Sequence, residues 1–467
     1  MKKIKMPTAY TILFAIIIVV AILTWIIPAG QYQYMPDGEP IAGTYAQTNP
    51  NGQTIKDVLL APFQGFYDAV DIAIFILMVG GFLGVMMKTG AISAGISGII
   101  SSLGGKEKYM IPILMTVFAI GGTTFGMAEE TIAFYPLVLP IFIAAGYDAV
   151  TAVSVILLGA GVGVLGSTVN PFATGIASGF AGVSLGDGLI LRLIILVVTL
   201  ALAIIYVMRY AAKVKSSPKA SYVYDMYEDN IEHFSHMLGD HKSNGISRKQ
   251  KIALVLFALI FLIMIYSVIP FEDMGITVLP TLGWWFSELS ALFFVGAVVI
   301  GIVYRLSEEE IVSSFVKGSE ELLGVAFIIG ISRGITVIMN SGLITDTILY
   351  WGEAALSGTN NVVFTILNYL IFIPLSFLIP SSSGLATLSM PIMAPLADFS
   401  GVGRSLVITA FQCASGILNL FTPTSAVVMG ALAIGRVPYE KWLKFSLKFV
   451  LLIFVVCAIL LAVASLI

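Results

Sequence analysis

The chain has 467 residues, of which 58% are hydrophobic and only 11% charged, against about a quarter charged in an average soluble chain. Its formal net charge is −3, so no basic surface is available for a polyanion, and nucleic-acid binding is excluded along with disorder and an ordinary soluble fold. With 45 Gly and 19 Pro, the apolar segments must include bent, broken or closely packed helices.

Basic residues up to Lys5 precede an apolar run from Ala9 to Ile27. That run exceeds the roughly 7–15 residues of a signal-peptide core and predicts a retained first helix. Further apolar runs fall at about 66–88, 110–145, 149–183, 189–208, 251–269, 288–304, 321–340, 362–397, 404–435 and 443–466. A membrane helix needs roughly 20 apolar residues, which places the protein in a lipid bilayer. The polar stretch 211–250 contains Lys213, Lys215, Lys219, Lys242, Arg248 and Lys249 and, with Arg209 and Lys251, accounts for eight of the 24 Lys and Arg. It is too short and too polar to build a core and reads as a solvated linker. The stretch 30–63 has one lysine (Lys56) against Asp37, Glu39 and Asp57, and 270–287 has Glu272 and Asp273 with no base. The excess of positive charge on cytoplasmic loops therefore puts the N-terminus and 211–250 in the cytoplasm, and 30–63 and 270–287 outside. Trp25, Trp284 and Trp285 then form an outer aromatic belt. Cys413 and Cys457 lie in apolar runs, and His233, His236 and His241 share one polar loop, so neither a zinc or haem site nor a histidine proton relay is expected.

An internal repeat organises the chain. Val85-Met-Met-Lys-Thr-Gly90 resembles Val337-Ile-Met-Asn-Ser-Gly342, and Pro136-Leu-Val-Leu-Pro140 resembles Pro391-Ile-Met-Ala-Pro395. Gly342 follows Gly90 by 252 residues, and Pro391, Gly401 and Thr422 follow Pro136, Gly146 and Ser167 by 255 each. The 66–88 helix enters from outside, and two helices then return the chain inside near Arg305, so 321–340 runs the opposite way. Oppositely oriented halves are the mark of secondary transporters. The predicted fold is an all-α polytopic membrane protein with two inverted-topology repeats, each with a re-entrant hairpin and a broken transmembrane helix. Residues 1–64 supply a scaffold helix and an external loop. Repeat 1 spans 65–210, with a hairpin at about 109–146 and a broken helix at about 149–183. The linker 211–250 leads to scaffold helices and an interfacial helix over 251–320. Repeat 2 spans 321–467, with a hairpin at about 362–400 and a broken helix at about 403–436.

Each half has two interruptions. Gly121–Glu130, with Thr123, Thr124, Gly126, Glu129 and Glu130, corresponds to Pro380–Gly384, with Ser381, Ser382 and Ser383. Gly166–Pro171, with Ser167, Thr168 and Asn170, corresponds to Phe421–Ser425, with Thr422, Thr424 and Ser425. Irregular backbone at membrane depth must line a cavity or be satisfied by protein. Helix N-termini after each break offer N–H groups and partial positive charge to a carboxylate. The competing reading, small residues that only let helices pack, fits one such motif better than four in matched pairs. Glu129 and Glu130 are the sharper signal, because a charge at the bilayer centre costs about 2.5–3.5 kcal/mol on insertion scales. They suit a cationic group or a proton, with pairing to Arg333 as the structural alternative. Asn419 and, seven residues before it, Gln412 would face the same cavity if 404–420 is helical. Asp346 and Glu353 read as interfacial, as does the charged stretch from Arg305 to Glu321.

The segments Ile26-Ile-Pro-Ala-Gly-Gln-Tyr32, Phe75-Ile-Leu-Met-Val-Gly-Gly-Phe-Leu-Gly-Val85, Gly121-Gly-Thr-Thr-Phe-Gly-Met-Ala-Glu-Glu130, Asn170-Pro-Phe-Ala-Thr-Gly175 and Ile379-Pro-Ser-Ser-Ser-Gly-Leu385 resemble the YfcC family. That family lies in the DcuC-like branch of the ion transporter superfamily, and the resemblance covers nearly the whole chain. Met339-Asn340, Ile344-Thr-Asp-Thr-Ile348 and Leu418-Asn419 also resemble its arginine/ornithine antiporters. The resemblance implies inverted repeats with hairpins, a homodimer formed through scaffold helices, and elevator-like movement of the hairpin-bearing part.

Arginine and ornithine each carry one carboxylate and two cationic groups. Ser/Thr-lined helix N-termini suit the former, and Glu129 and Glu130 the latter. A C4-dicarboxylate would bring two negative charges to two glutamates and would need Na+ or H+ to compensate. Exchange of basic amino acids is therefore the expected function, with cation-coupled carboxylate transport as the alternative. No cofactor is expected, and the coupling ion is left open. The absence of a membrane Ser/His pair or proteolytic dyad argues against an enzyme.

Overall fold

A computed structural model describes residues 9–36, 40–41, 43–92, 94–95, 106–238, 247–268, 271–272, 278–356 and 358–466. The basic residues before Ala9, with Asp37, Glu39, His241, Lys242 and Asp273 of the topology argument, lie outside the described residues. The chain is helical almost throughout. Helix α1 (Ala9–Ile26) leads to a two-stranded antiparallel ribbon, β1 (Gly30–Gln31) with β2 (Ala46–Gln47), then to α2 (Ile55–Asp68) and α3 (Val70–Lys88). Next come α4 (Met110–Phe125), α5 (Tyr135–Ala144), α6 (Ala149–Gly166), α7 (Ile176–Ala181), α8 (Leu189–Ser216) and α9 (Tyr227–Leu238). The chain continues through α10 (Arg248–Val268), α11 (Phe286–Tyr304), α12 (Glu308–Ser341) and α13 (Thr345–Leu356). It ends with α14 (Asn361–Leu378), α15 (Ser382–Phe399), α16 (Arg404–Leu418), α17 (Ala426–Ile434) and α18 (Tyr439–Ala464).

Eight of these helices, α3, α6, α8, α10, α11, α12, α14 and α18, are long and apolar enough to cross a bilayer. Their burial sorts them into layers. Along α6 nearly every residue is buried, as expected of a helix that is apolar all round and sits at the centre. Helices α8, α10 and α18 keep most of their apolar surface exposed, which suits lipid contact. The chain is thus an all-α polytopic membrane protein.

Packing pairs recur. Helix α4 lies along α6 and α14 along α16, while α8 and α18 flank α6 and α16. The 129–144 arm touches α17, and α15 touches the 171–181 segment. Each pairing in the first half thus has a counterpart about 250 residues further on. Helices α6 and α16 meet each other, and α3 and α12 form a second long contact. At two of its glycines that contact is backbone on backbone. A Cβ placed on Gly80 would stand 2.6 Å from the Gly318 carbonyl, and one on Gly84 2.2 Å from the Ser314 carbonyl. Small residues at this spacing let helices approach closely in a membrane.

Three segments differ from the sequence-based expectation. The stretch 30–63, read as an external loop, is partly helical, because Thr54 and Asp57 close a capping box that starts α2. The stretch Arg305–Glu321 is no separate interfacial helix. From the Ser307–Glu310 capping box, α12 runs unbroken for 34 residues, since no Pro or break motif interrupts it. The 211–250 segment is only partly solvated. Helix α8 extends to Ser216, and amphipathic α9 buries Phe234 against the bundle. Val223 is buried as well. Asp148, at the N-cap of α6, accepts hydrogen bonds from the Thr151 N–H and hydroxyl and from the hydroxyls of Tyr210 and Ser221. A buried carboxylate is thereby satisfied by neutral donors, and the linker's first turn is tied to α6.

Candidate functional site

The interruptions in the helices are built by identifiable local chemistry. Helix α4 ends at Gly126, whose φ of +73° is a left-handed conformation that glycine adopts without strain. A Cβ there would also lie 2.6 Å from Asn170 Oδ1, so the tip of α4 rests directly on the break after α6. The chain then turns through Met127 and Ala128 into a 3₁₀ turn over Glu129–Phe134. Glu130 is 8% exposed, and its carboxylate accepts the Ala128 N–H at 3.0 Å. Glu129, half-buried, makes no ion pair among the described residues. At the matching position in the second half, Ser381 caps α15 by accepting the Gly384 N–H at 3.2 Å.

The broken stretches that follow α6 and α16 are satisfied largely from within the protein. The Ser167 carbonyl accepts from Thr174, the Leu420 carbonyl from the Trp442 indole, and the Phe421 carbonyl from Tyr439. The Thr424 carbonyl accepts from Ser332 of α12. Irregular backbone at membrane depth is tolerated on those terms.

These parts converge on one cavity of about 260 Å³. Of the residues singled out in the sequence, Gly126, Glu129, Glu130, Asn170, Ser381, Ser382, Ser383, Asn419, Thr424 and Ser425 line it. Thr123, Thr124, Ser167, Thr168 and Thr422 do not. Thr123 and Thr168 bond each other instead: the Thr123 hydroxyl accepts the Thr168 N–H at 2.9 Å, and the Thr123 carbonyl accepts the Val169 N–H at 3.2 Å. They splice the first tip to the first break. Thr124 donates to its own helix at Ile120, and Thr422 shares its hydroxyl with Thr424 at 2.9 Å. Ser167 is fully buried away from the cavity, as is Gln412 on α16. Asp346 and Glu353 hold the chain at the β1–β2 ribbon, accepting hydrogen bonds from Tyr34 and Tyr32 respectively.

The cavity also has walls that the sequence reading missed: Asp68 and Asp71, which flank the Ala69 break between α2 and α3, and Ser332. Trp285, read as part of an aromatic belt, and Arg333, read as a partner for the glutamates, complete the lining. Four acidic residues and one arginine therefore share the lining, with Glu130 buried and Asp68 exposed. They do not converge: among the described residues, no three of His, Cys, Asp or Glu lie close enough together to hold a metal ion. A second, larger cavity of about 770 Å³ lies further back along the same helix, where α12 contributes Gly318–Ile328 rather than Ile329–Arg333. Its lining is mostly apolar, with His233, Glu321 and Arg436 among the exceptions.

A cavity lined by helix breaks inside a bundle of membrane-crossing helices is the arrangement that secondary carriers use. Residues 6–466 match the family described as DcuC, C4-dicarboxylate anaerobic carrier, and the chain belongs to that family. A protein of Escherichia coli (strain K12) named "Putative basic amino acid antiporter YfcC" is 30% identical over 97% of this chain and 95% of its own. An uncharacterized protein of Haemophilus influenzae is 34% identical over 99% of this chain and 97% of its own. Among solved structures, the YdaH transporter of Alcanivorax borkumensis aligns over 98% of both chains with a TM-score of 0.43 and 14% identity.

Proposed function

We propose that this carrier exchanges basic amino acids, arginine for ornithine, across the bacterial cytoplasmic membrane. The observation that carries this reading is the charge of the cavity: Asp68, Asp71, Glu129 and Glu130 against Arg333 alone. A guest with two cationic groups and one carboxylate complements that lining. A C4-dicarboxylate would add two negative charges to an anionic site of low dielectric, at an electrostatic cost that bound cations would have to offset. The dispersal of the four acids favours an organic cation with its charges several bonds apart over a compact metal ion.

The same charge supports exchange over one-way transport. An empty cavity carries uncompensated carboxylates, which oppose passage through a low-dielectric barrier, and a cationic guest removes that opposition. In this reading the helix pairs repeated about 250 residues apart form two inverted halves, and the hairpin-bearing part moves elevator-like against α3 and α12. The N-terminus lies in the cytoplasm, and the carrier works as a homodimer. A cation-coupled C4-dicarboxylate carrier is the second reading, favoured by the description of the family.

A thermal-shift screen on purified protein separates the two, since a ligand that binds the native state raises apparent stability. Arginine and ornithine should raise Tm, while succinate with or without Na+ should not. The opposite pattern would select the dicarboxylate reading.

A further inference from the structure

We propose that Arg333 is the carboxylate anchor of the cavity, and so the residue that separates basic amino acids from their decarboxylated amines. This rests on the substrate class proposed above and adds what selects within it. Arg333 is the one basic side chain among the described residues that line the cavity. Four carboxylates share that lining, yet Arg333 forms no ion pair with any of them among the described residues. Its guanidinium is a planar fork of five N–H donors with no acceptor, and it stays charged in proteins. The natural partner of such a fork is a carboxylate bound through two parallel hydrogen bonds.

The backbone that carries Arg333 is held firmly. It sits between Gly330 and Gly334, where α2 packs directly against α12. A Cβ on Gly65 would lie 2.4 Å from the Gly330 carbonyl and 2.8 Å from the backbone of Arg333 itself. The preceding residue, Ser332, donates to the Thr424 carbonyl in the second break. The backbone of Arg333 is thus fixed beside the broken stretch, and its side chain lines the same space as Glu129 and Glu130 on the acidic tip. A rigid backbone limits where the fork can reach, which is one part of what specific recognition requires.

The competing anchor, the N-terminus of α15, already spends part of its capacity within the protein, because the Gly384 N–H is bonded to Ser381. A guest of the same length and cationic charge but lacking the carboxylate leaves Arg333 unpaired in a cavity rich in acids. Sites built around a hydrogen-bonded charge reject analogues that leave it unmatched.

The test uses full-length protein in liposomes preloaded with arginine, reading uptake of labelled arginine against competing arginine or agmatine, its decarboxylated form. Wild type should be inhibited by arginine at concentrations at least about tenfold lower than by agmatine. Arg333→Gln should reduce that preference to less than about threefold, and Arg333→Lys should retain part of it, because a point charge replaces the fork. Apparent Tm without ligand reports whether each variant remains folded. Equal inhibition of wild type by the two compounds would overturn the proposal even if no variant could be purified. So would an unchanged preference in a folded Arg333→Gln protein. A wild type that binds no basic amino acid would instead remove the substrate class on which the inference rests.

Discussion

The two helix breaks that line the cavity after α4 and after α14 are built with opposite chemistry. After α4 the chain passes a left-handed Gly126 and winds through a six-residue 3₁₀ turn that begins with two adjacent glutamates. After α14 it runs through Pro380 straight into a serine cap, with no ionisable group. One tip gathers negative charge, and the other offers hydroxyls and the start of a helix. A site that must hold cations at one end and a neutral or anionic group at the other gains from that asymmetry. Two identical tips would suit a symmetric guest.

The asymmetry can be broken one tip at a time. The largest effect is expected at the acidic tip. Glu130→Gln should lower arginine counterflow on the order of 100-fold, because removing one member of a buried, desolvated charge interaction costs about 2–5 kcal/mol. Glu129→Gln should do less, since Glu129 is more exposed than Glu130. Normal exchange in both variants would show that the tip's charge plays no part in binding. Next comes the scaffold of that tip. Gly126→Ala meets both a left-handed backbone and the Asn170 amide and should cost about 1–2 kcal/mol or more, read as a lower Tm in the absence of ligand. A Tm equal to wild type would mean that the tip and the break are not in contact. The smallest effect belongs to the neutral tip. Ser381→Ala removes a helix cap worth about 1 kcal/mol and should weaken arginine exchange less than tenfold, without altering the preference for cations. A loss as large as that of Glu130→Gln would make the two tips equivalent.

The positions of these tips were legible because membrane helices tolerate few polar residues, so Gly121–Glu130 and Pro380–Gly384 stand out against apolar flanks. Their local roles were less legible. Thr123 and Thr168 look like ligand donors from composition, but they lie 45 residues apart and bond to one another, which only the folded chain brings about. Asp68 and Asp71 were hidden for a different reason. They sit where an amphipathic helix, read as an external polar stretch, meets an apolar one, and that boundary resembles an ordinary helix entrance. Arg333 was noticed as a base deep in an apolar run, but only the cavity shows that it shares a space with the glutamates without pairing with them. The burial of Phe234 likewise depended on one apolar face of a short helix within a charged segment.

The seam between α3 and α12 has a mechanical consequence. Where Gly80 and Gly84 lie against Ser314 and Gly318, main chain touches main chain, with Leu322 and Phe315 packed beside the seam. Sliding one of these helices past the other by a single residue would drive Cβ atoms into carbonyl oxygens, so the pair behaves as one stiff rail. Both cavities open along that rail, one beside Ile329–Arg333 and the other beside Gly318–Ile328.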